Sequence, residues 1–172
     1  MGMHKNRLNP ISQVLLLVCL GLPGCVKSMA VDAVGNALAT GGGTYAQDDD
    51  PELVRDATAF GLKTIESLLD ARPEHKGLLL AATRGFTQYG YAFLQIEADY
   101  IEEDDFAKAK HMRRRARRFY LRALSYGMRG LALHHEGFEA QVRVAPEATV
   151  AHLNEDAVGL LYWSSIAWAA AV

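Results

Sequence analysis

Apolar residues between Gly77 and Tyr100 recur in a helical rhythm. Leu79, Ala82, Phe86, Tyr89, Phe93, Ile96 and Tyr100 follow one another at alternating steps of 3 and 4. At 3.6 residues per turn those steps stay on one face of a helix. Leu78, Leu80 and Leu94 widen the apolar surface, and Gly85 and Gly90 leave room for a neighbouring backbone. A helix so widely apolar belongs between partners in a helical array, and its aromatic side chains read first as packing. A second stripe, Ala109, Met112, Ala116, Phe119, Ala123, Tyr126, Gly130 and Leu133, predicts an amphipathic helix over residues 106–134.

The second helix starts in a basic run, Lys108, Lys110, Arg113, Arg114, Arg115, Arg117 and Arg118. The segment before it, Glu97 to Asp105, is acidic at six of nine positions. Antiparallel packing of the two helices sets these opposite charges side by side. The basic run then reads as a solvated, ion-paired face, with an anion or nucleic-acid groove or contact with anionic headgroups as rival uses.

Helix punctuation fills in the rest. Asp50-Pro51-Glu52 is a start, with a capping side chain, a proline for the first turn and an acid at the positive dipole end. That helix runs to about Ala71 with Leu53, Ala57, Phe60, Thr64 and Leu68 near one face, and Arg72-Pro73 ends it. Pro73-Glu74 opens the helix of the first stripe. Residues 30–39 predict a weak helix, and Gly41-Gly42-Gly43 with Asp48-Asp49-Asp50 reads as flexible spacer. Residues 137–149 read as a connection. Asn154 then caps a last helix, apolar nearly all round, with Tyr162, Trp163 and Trp168. Such a helix needs a cover, either in an oligomer or in further chain, and the favoured reading is a C-terminally truncated domain. Phe60-Gly-Leu-Lys-Thr-Ile and Phe119-Tyr-Leu-Arg-Ala-Leu repeat a pattern at an offset of 59. The expected fold is therefore all-α, built of antiparallel helix pairs resembling a tetratricopeptide-like α-solenoid.

The first residues look like an export signal. His4, Lys5 and Arg7 precede the apolar run Ile11 to Leu22, which is shorter than the roughly 20 residues of a membrane span. The run ends at Pro23-Gly24-Cys25, which resembles the bacterial lipobox, although Pro23 stands where Ala, Ser or Thr is commoner. Lipidation of Cys25 is the expected outcome; ordinary cleavage and a retained anchor are the rivals. The domains read as a signal peptide over 1–24, a lipid-anchored flexible linker over 25–49 and a helical domain over 50–172. Losing residues 1–24 removes Lys5 and Arg7 from the 18 basic residues, leaving 16 against 20 acidic and a net charge of −4. Bulk attraction to nucleic acid is not expected of such a chain. With Cys19 removed and Cys25 lipidated, no thiol is left for a disulfide, a cysteine metal site or a nucleophile.

Other catalytic signals are missing. His134-His135-Glu136 lacks the spacing that sets two imidazoles on one helix face, and His152 joins them only through tertiary folding. Gly41-Gly42-Gly43 is no phosphate loop, because no Gly-Lys-Ser/Thr follows. Acid pairs such as Glu102 and Asp105 sit in a charge-dense turn, whereas acid–base chemistry needs split pKa values. The sequence suggests no enzyme, no metal and no cofactor.

Several segments, in order, resemble the TatT family, the tetratricopeptide-like lipoproteins associated with TRAP transporters. They are Gly24-Cys25, Ala30 to Leu38, Gly41 to Gly43, Asp48 to Asp56, Glu66 to Leu69, Pro73 to Leu80, Gly85 to Tyr89, Tyr91 to Phe93, Glu97 to Asp99, Arg115 to Ala123, and Leu161 to Trp163 through Trp168. The resemblance implies a pore-bearing helical domain that forms a homotrimer at the periplasmic face of the outer membrane, docks a TRAP solute-binding protein and assists ligand transfer. On that reading Phe86, Tyr89, Phe93, Trp163 and Trp168 are candidate ligand-pore or packing aromatics, and Cys25 is the lipid anchor. The alternative is a general outer-membrane helical-repeat scaffold for protein partners.

Overall fold

Asp50 begins the helical domain by accepting hydrogen bonds from the backbone N–H groups of Glu52 and Leu53 at 3.1 and 3.0 Å. Pro51 occupies the first turn, where its missing N–H costs nothing. The computed structural model describes residues 23–40, 45 and 47–172. Its helices are α1 (Pro23–Thr40), α2 (Pro51–Ala71), α3 (Lys76–Gly90), α4 (Ile96–Ile101), α5 (Phe106–Ala132), α6 (Phe138–Val144), α7 (Pro146–Ala151) and α8 (Val158–Ala171). A π-helical turn, Tyr91–Gln95, joins α3 to α4, and a 3-10 turn, Glu155–Ala157, leads into α8. No strand occurs among the described residues, and the fold is all-α, as the stripes predict.

Helix α3 is the centre, packed by α1, α2, α5 and α8. Helices α2 and α5 run antiparallel to it. Arg55 at the start of α2 reaches Glu97, while Arg113 near the start of α5 binds both Asp99 and Glu102 at 2.7 and 2.5 Å. The acidic end and the basic start therefore meet as the charge pattern predicts. Leu78 and Leu79 are fully buried in this centre, each stabilising the fold by about 1.5–3 kcal/mol relative to exposure. Helix α8 comes unusually close to α5. A methyl group at Gly127 would overlap the Ser164 hydroxyl, and one at Gly130 would lie 2.7 Å from Leu160.

Three details differ from the periodic reading, each for a physical reason. The first concerns the stripe of α3, which fails beyond Tyr89. Ile96 donates to the Tyr91 carbonyl across a wide i→i−5 turn, which shifts the buried face by one residue. Leu94 and Ala98 are buried in consequence, and the predicted stripe member Tyr100 is 83% exposed. The second lies in α2, which buries Leu62, Ile65, Glu66 and Leu69, while Leu53 and Phe60 stand in solvent. Apolar periodicity misplaces this face because one of its buried members is a carboxylate. The repeat pairing suffers with it: Leu62 is buried whereas its counterpart Leu121 is exposed.

The third concerns helix ends. His75, not the Pro73-Glu74 step, caps α3, its Nδ1 accepting from the Leu78 N–H at 3.1 Å. The expected connection over 137–149 contains α6 and α7, and Asn154 makes no side-chain cap.

The weak helix expected over 30–39 extends from Pro23 to Thr40 and packs on α3. Arg72 binds Asp32 at 2.9 Å, and Arg84 donates to the Ala39 carbonyl at 3.3 Å. The signal run to Leu22, residues 41–44 and the Cys25 side chain lie outside the described residues. No described helix is long and apolar enough to cross a membrane.

Candidate functional site

Where α2 crosses α3, small residues keep the two helices from filling the space between them. Gly61 and Thr58 face Ala81, Gly85 and Ala92 across a cavity of about 280 Å³, closed on one side by Leu38 of α1. The two glycines act differently. A methyl at Gly85 would strike Leu62 at 2.7 Å, so this glycine permits close packing. At Gly61 the nearest atom to such a methyl is the Tyr45 hydroxyl at 3.8 Å, so the open space lies there.

Apolar walls come from Val54, Leu62, Ile65, Tyr89 and Phe93. Phe93 has two ring contacts, Tyr89 edge-on at 5.2 Å between ring centres and the Arg55 guanidinium 5.4 Å from its centre. Arg55 is anchored by Glu97 at 2.6 Å. Arg84 is the single charged residue among the fifteen described residues that line the cavity. No described acid pairs with it. This combination of apolar walls and one polar anchor is the usual chemistry of a small-molecule site.

The sequence-predicted aromatics separate in the structure. Tyr89 and Phe93 line the groove. Phe86 is buried in the core instead, 5.6 Å from the Phe119 ring and 5.9 Å from Tyr126, with the Arg122 guanidinium 4.9 Å over its face. Trp163 and Trp168 are on α8, away from the groove lining. Trp163 is half-buried beside Tyr162, and Trp168 is 65% exposed.

A buried polar cluster lies behind the groove, and periodicity offers no sign of it. Glu66 accepts from Lys63 at 2.8 Å and from the Tyr126 hydroxyl at 2.7 Å, and pairs with Arg122. Burial acts to raise the Glu66 pKa, but the bonds from Lys63 and Tyr126 and the charge of Arg122 outweigh it and hold the carboxyl below its ordinary value. Burial pushes the Tyr120 hydroxyl up to about 12, where it remains a donor, bonding Gln95 at 2.6 Å. Folding also stacks His135 on His152, ring centres 5.4 Å apart, with His135 Nε2 3.0 Å from Gln141. No group of three or more potential metal ligands occurs among the described residues.

Residues 47–172, which take in every helix from α2 to α8, match the family model described as TRAP transporter T-component. The chain is also 33% identical over 131 residues to an uncharacterized protein of Treponema pallidum (strain Nichols), an alignment covering 74% of this chain and 41% of that protein. The chain thus spans less than half the length of that curated relative. A match over so much of the helical domain decides the family: the chain belongs to the TRAP transporter T-component family.

Proposed function

We propose that this protein is a periplasmic lipoprotein adaptor of a TRAP-type transport system, which docks the solute-binding subunit and assists transfer of its ligand. The observation that carries the reading is the family match across the helical domain. The groove between α2 and α3, apolar with one cationic anchor, supports a role in holding ligand. Its chemistry suits binding rather than catalysis. Exposed Tyr162 and Trp168 on α8 support protein contacts, whether with the subunit or between the copies of a homotrimer.

In this proposal Cys25 carries lipid and tethers the domain to the periplasmic face of the outer membrane. Helix α1 connects that position to the groove, since Leu38 near its far end forms part of the wall. The test is co-purification of the full chain from detergent-solubilised membranes of its native cell. Recovery of a TRAP solute-binding subunit is the expected result. Recovery of outer-membrane assembly proteins in its place, or of nothing, overturns the reading.

A further inference from the structure

We infer that the groove between α2 and α3 takes a single-chain amphiphile with one anionic head. Its head sits on the Arg84 guanidinium and its apolar body lies along Leu62, Ile65, Tyr89 and Phe93. For its biological setting this rests on the proposed role in ligand transfer.

Arg84 carries the argument because it combines partial burial with the lack of a described carboxylate partner; Arg117 and Arg129 also donate to carbonyls, those of Ala171 and Pro73, but are exposed. Arg55, Arg72, Arg113 and Arg122 each hold a carboxylate. Arg84 is half-buried, yet among the described residues its one hydrogen bond is from Nη2 to the Ala39 carbonyl at a long 3.3 Å. A guanidinium has five N–H donors in a planar fork, so four remain for another acceptor. The Ala39 carbonyl belongs to the last turn of α1, whose negative dipole end amounts to only about half a charge. That partial charge orients Arg84 without neutralising it.

The lining decides the sign and the shape of the occupant. No carboxylate is among the described residues that line the cavity, so there a cationic head meets only like charge. A neutral head leaves a half-buried cation unpaired, whereas an anionic head forms charge-assisted, bidentate bonds with the fork. The cavity of about 280 Å³ falls just below the usual range for ligand sites, roughly 300–1,000 Å³. One chain of medium length fits such a space and a two-chain membrane lipid does not.

The test uses the full chain in zwitterionic lipid nanodiscs, with empty discs as the blank and equilibrium dialysis of decanoate, decanol and decyltrimethylammonium. Decanoate is expected to bind about tenfold more tightly than decanol, as one charge-assisted bond provides, and decyltrimethylammonium to stay at the blank. Arg84→Gln lowers decanoate to the level of decanol and leaves decanol unchanged. Gly61→Leu fills the groove and removes both. Adding phosphatidylglycerol to the discs leaves decanoate binding as it was.

Equal binding of decanoate and decanol, or full decanoate binding by Arg84→Gln, overturns the inference, as does displacement by phosphatidylglycerol. Should Arg84→Gln fail to fold, the preference of the unmodified chain among the three probes still decides the matter. Co-purification separates the two claims. If the solute-binding subunit is recovered but decanoate is not bound, this inference alone falls. If decanoate is bound but no subunit is recovered, the adaptor role alone falls.

Discussion

Glu66 of α2 and Tyr126 of α5, 60 positions apart in the chain, share a 2.7 Å hydrogen bond beside the core. Lys63 and Arg122 complete the ring around the same carboxylate. Replacing Glu66 by Gln removes the charge while keeping most of the volume. Lys63 and Arg122 retain access to water, so the expected loss is moderate, about 1–3 kcal/mol by urea denaturation. A loss beyond that range means that the cluster organises more of the core than its contacts indicate.

The same carboxylate sets a pH dependence. Its folded pKa lies below the ordinary value of 4.5, so its contribution is complete above about 4.5 and is lost as pH falls through the folded pKa. Melting temperature in the unmodified chain therefore drops below about pH 4.5, and drops less steeply in Glu66→Gln. Parallel acid profiles for the two proteins contradict this assignment.

Gly127 and Ser164 define the separation of α5 and α8. A methyl at Gly127 overlaps the Ser164 hydroxyl and crowds Ser164 Cβ and Thr83 Cγ2, each at 3.1 Å, so Gly127→Ala forces the helices apart, at a cost of about 1–3 kcal/mol. The Ser164 hydroxyl is itself buried without a hydrogen-bond partner. Ser164→Ala alone is consequently near neutral, and in the double variant it recovers part of the Gly127→Ala loss. Simple additivity of the two effects in denaturant titrations counts against the close contact.

Gly61 gives the opposite expectation. Its added methyl meets nothing nearer than the Tyr45 hydroxyl at 3.8 Å, and alanine is the better helix former. Gly61→Ala should stabilise the chain by about 0.4–1 kcal/mol, read as a higher urea midpoint with an unchanged slope. A lower midpoint means that the space beside α2 is already filled.

For the membrane anchor, Cys25→Ser tests attachment through the exchange of a single atom in the first turn of α1. The variant is expected in the soluble fraction after cell breakage and the unmodified chain in the membrane fraction. Retention of both in the membrane fraction contradicts lipidation at Cys25.

These expectations show which parts of the structure can be read from residue order alone. Helices α3 and α5 were legible because their apolar steps persist over many turns and their buried faces are largely uncharged. The register after Tyr91 was not, because a π turn depends on how the backbone accommodates its neighbours, and YAFLQ carries no residue that announces one. The inner face of α2 was obscured by Glu66, whose burial makes sense only once Lys63, Tyr126 and Arg122 are seen around it.

The site was legible in part. Tyr89 and Phe93 stand out as large aromatics and do line the groove. Trp163 and Trp168 stand out just as strongly but are carried by α8, away from it. What makes the groove is Gly61 on α2 opposite Ala81 on α3 and Ala92 in the π turn that follows it, a tertiary coincidence of small residues. Arg84 gave no signal either, since an arginine at a helix crossing resembles any surface arginine until its missing carboxylate is noticed.

The adaptor role is tested most directly by mixing the purified full chain, in detergent, with the purified solute-binding subunit of the TRAP system from the same cell and following both by analytical ultracentrifugation. The account predicts a species that sediments faster than either protein alone and contains both. Two components that sediment independently at micromolar concentrations contradict it.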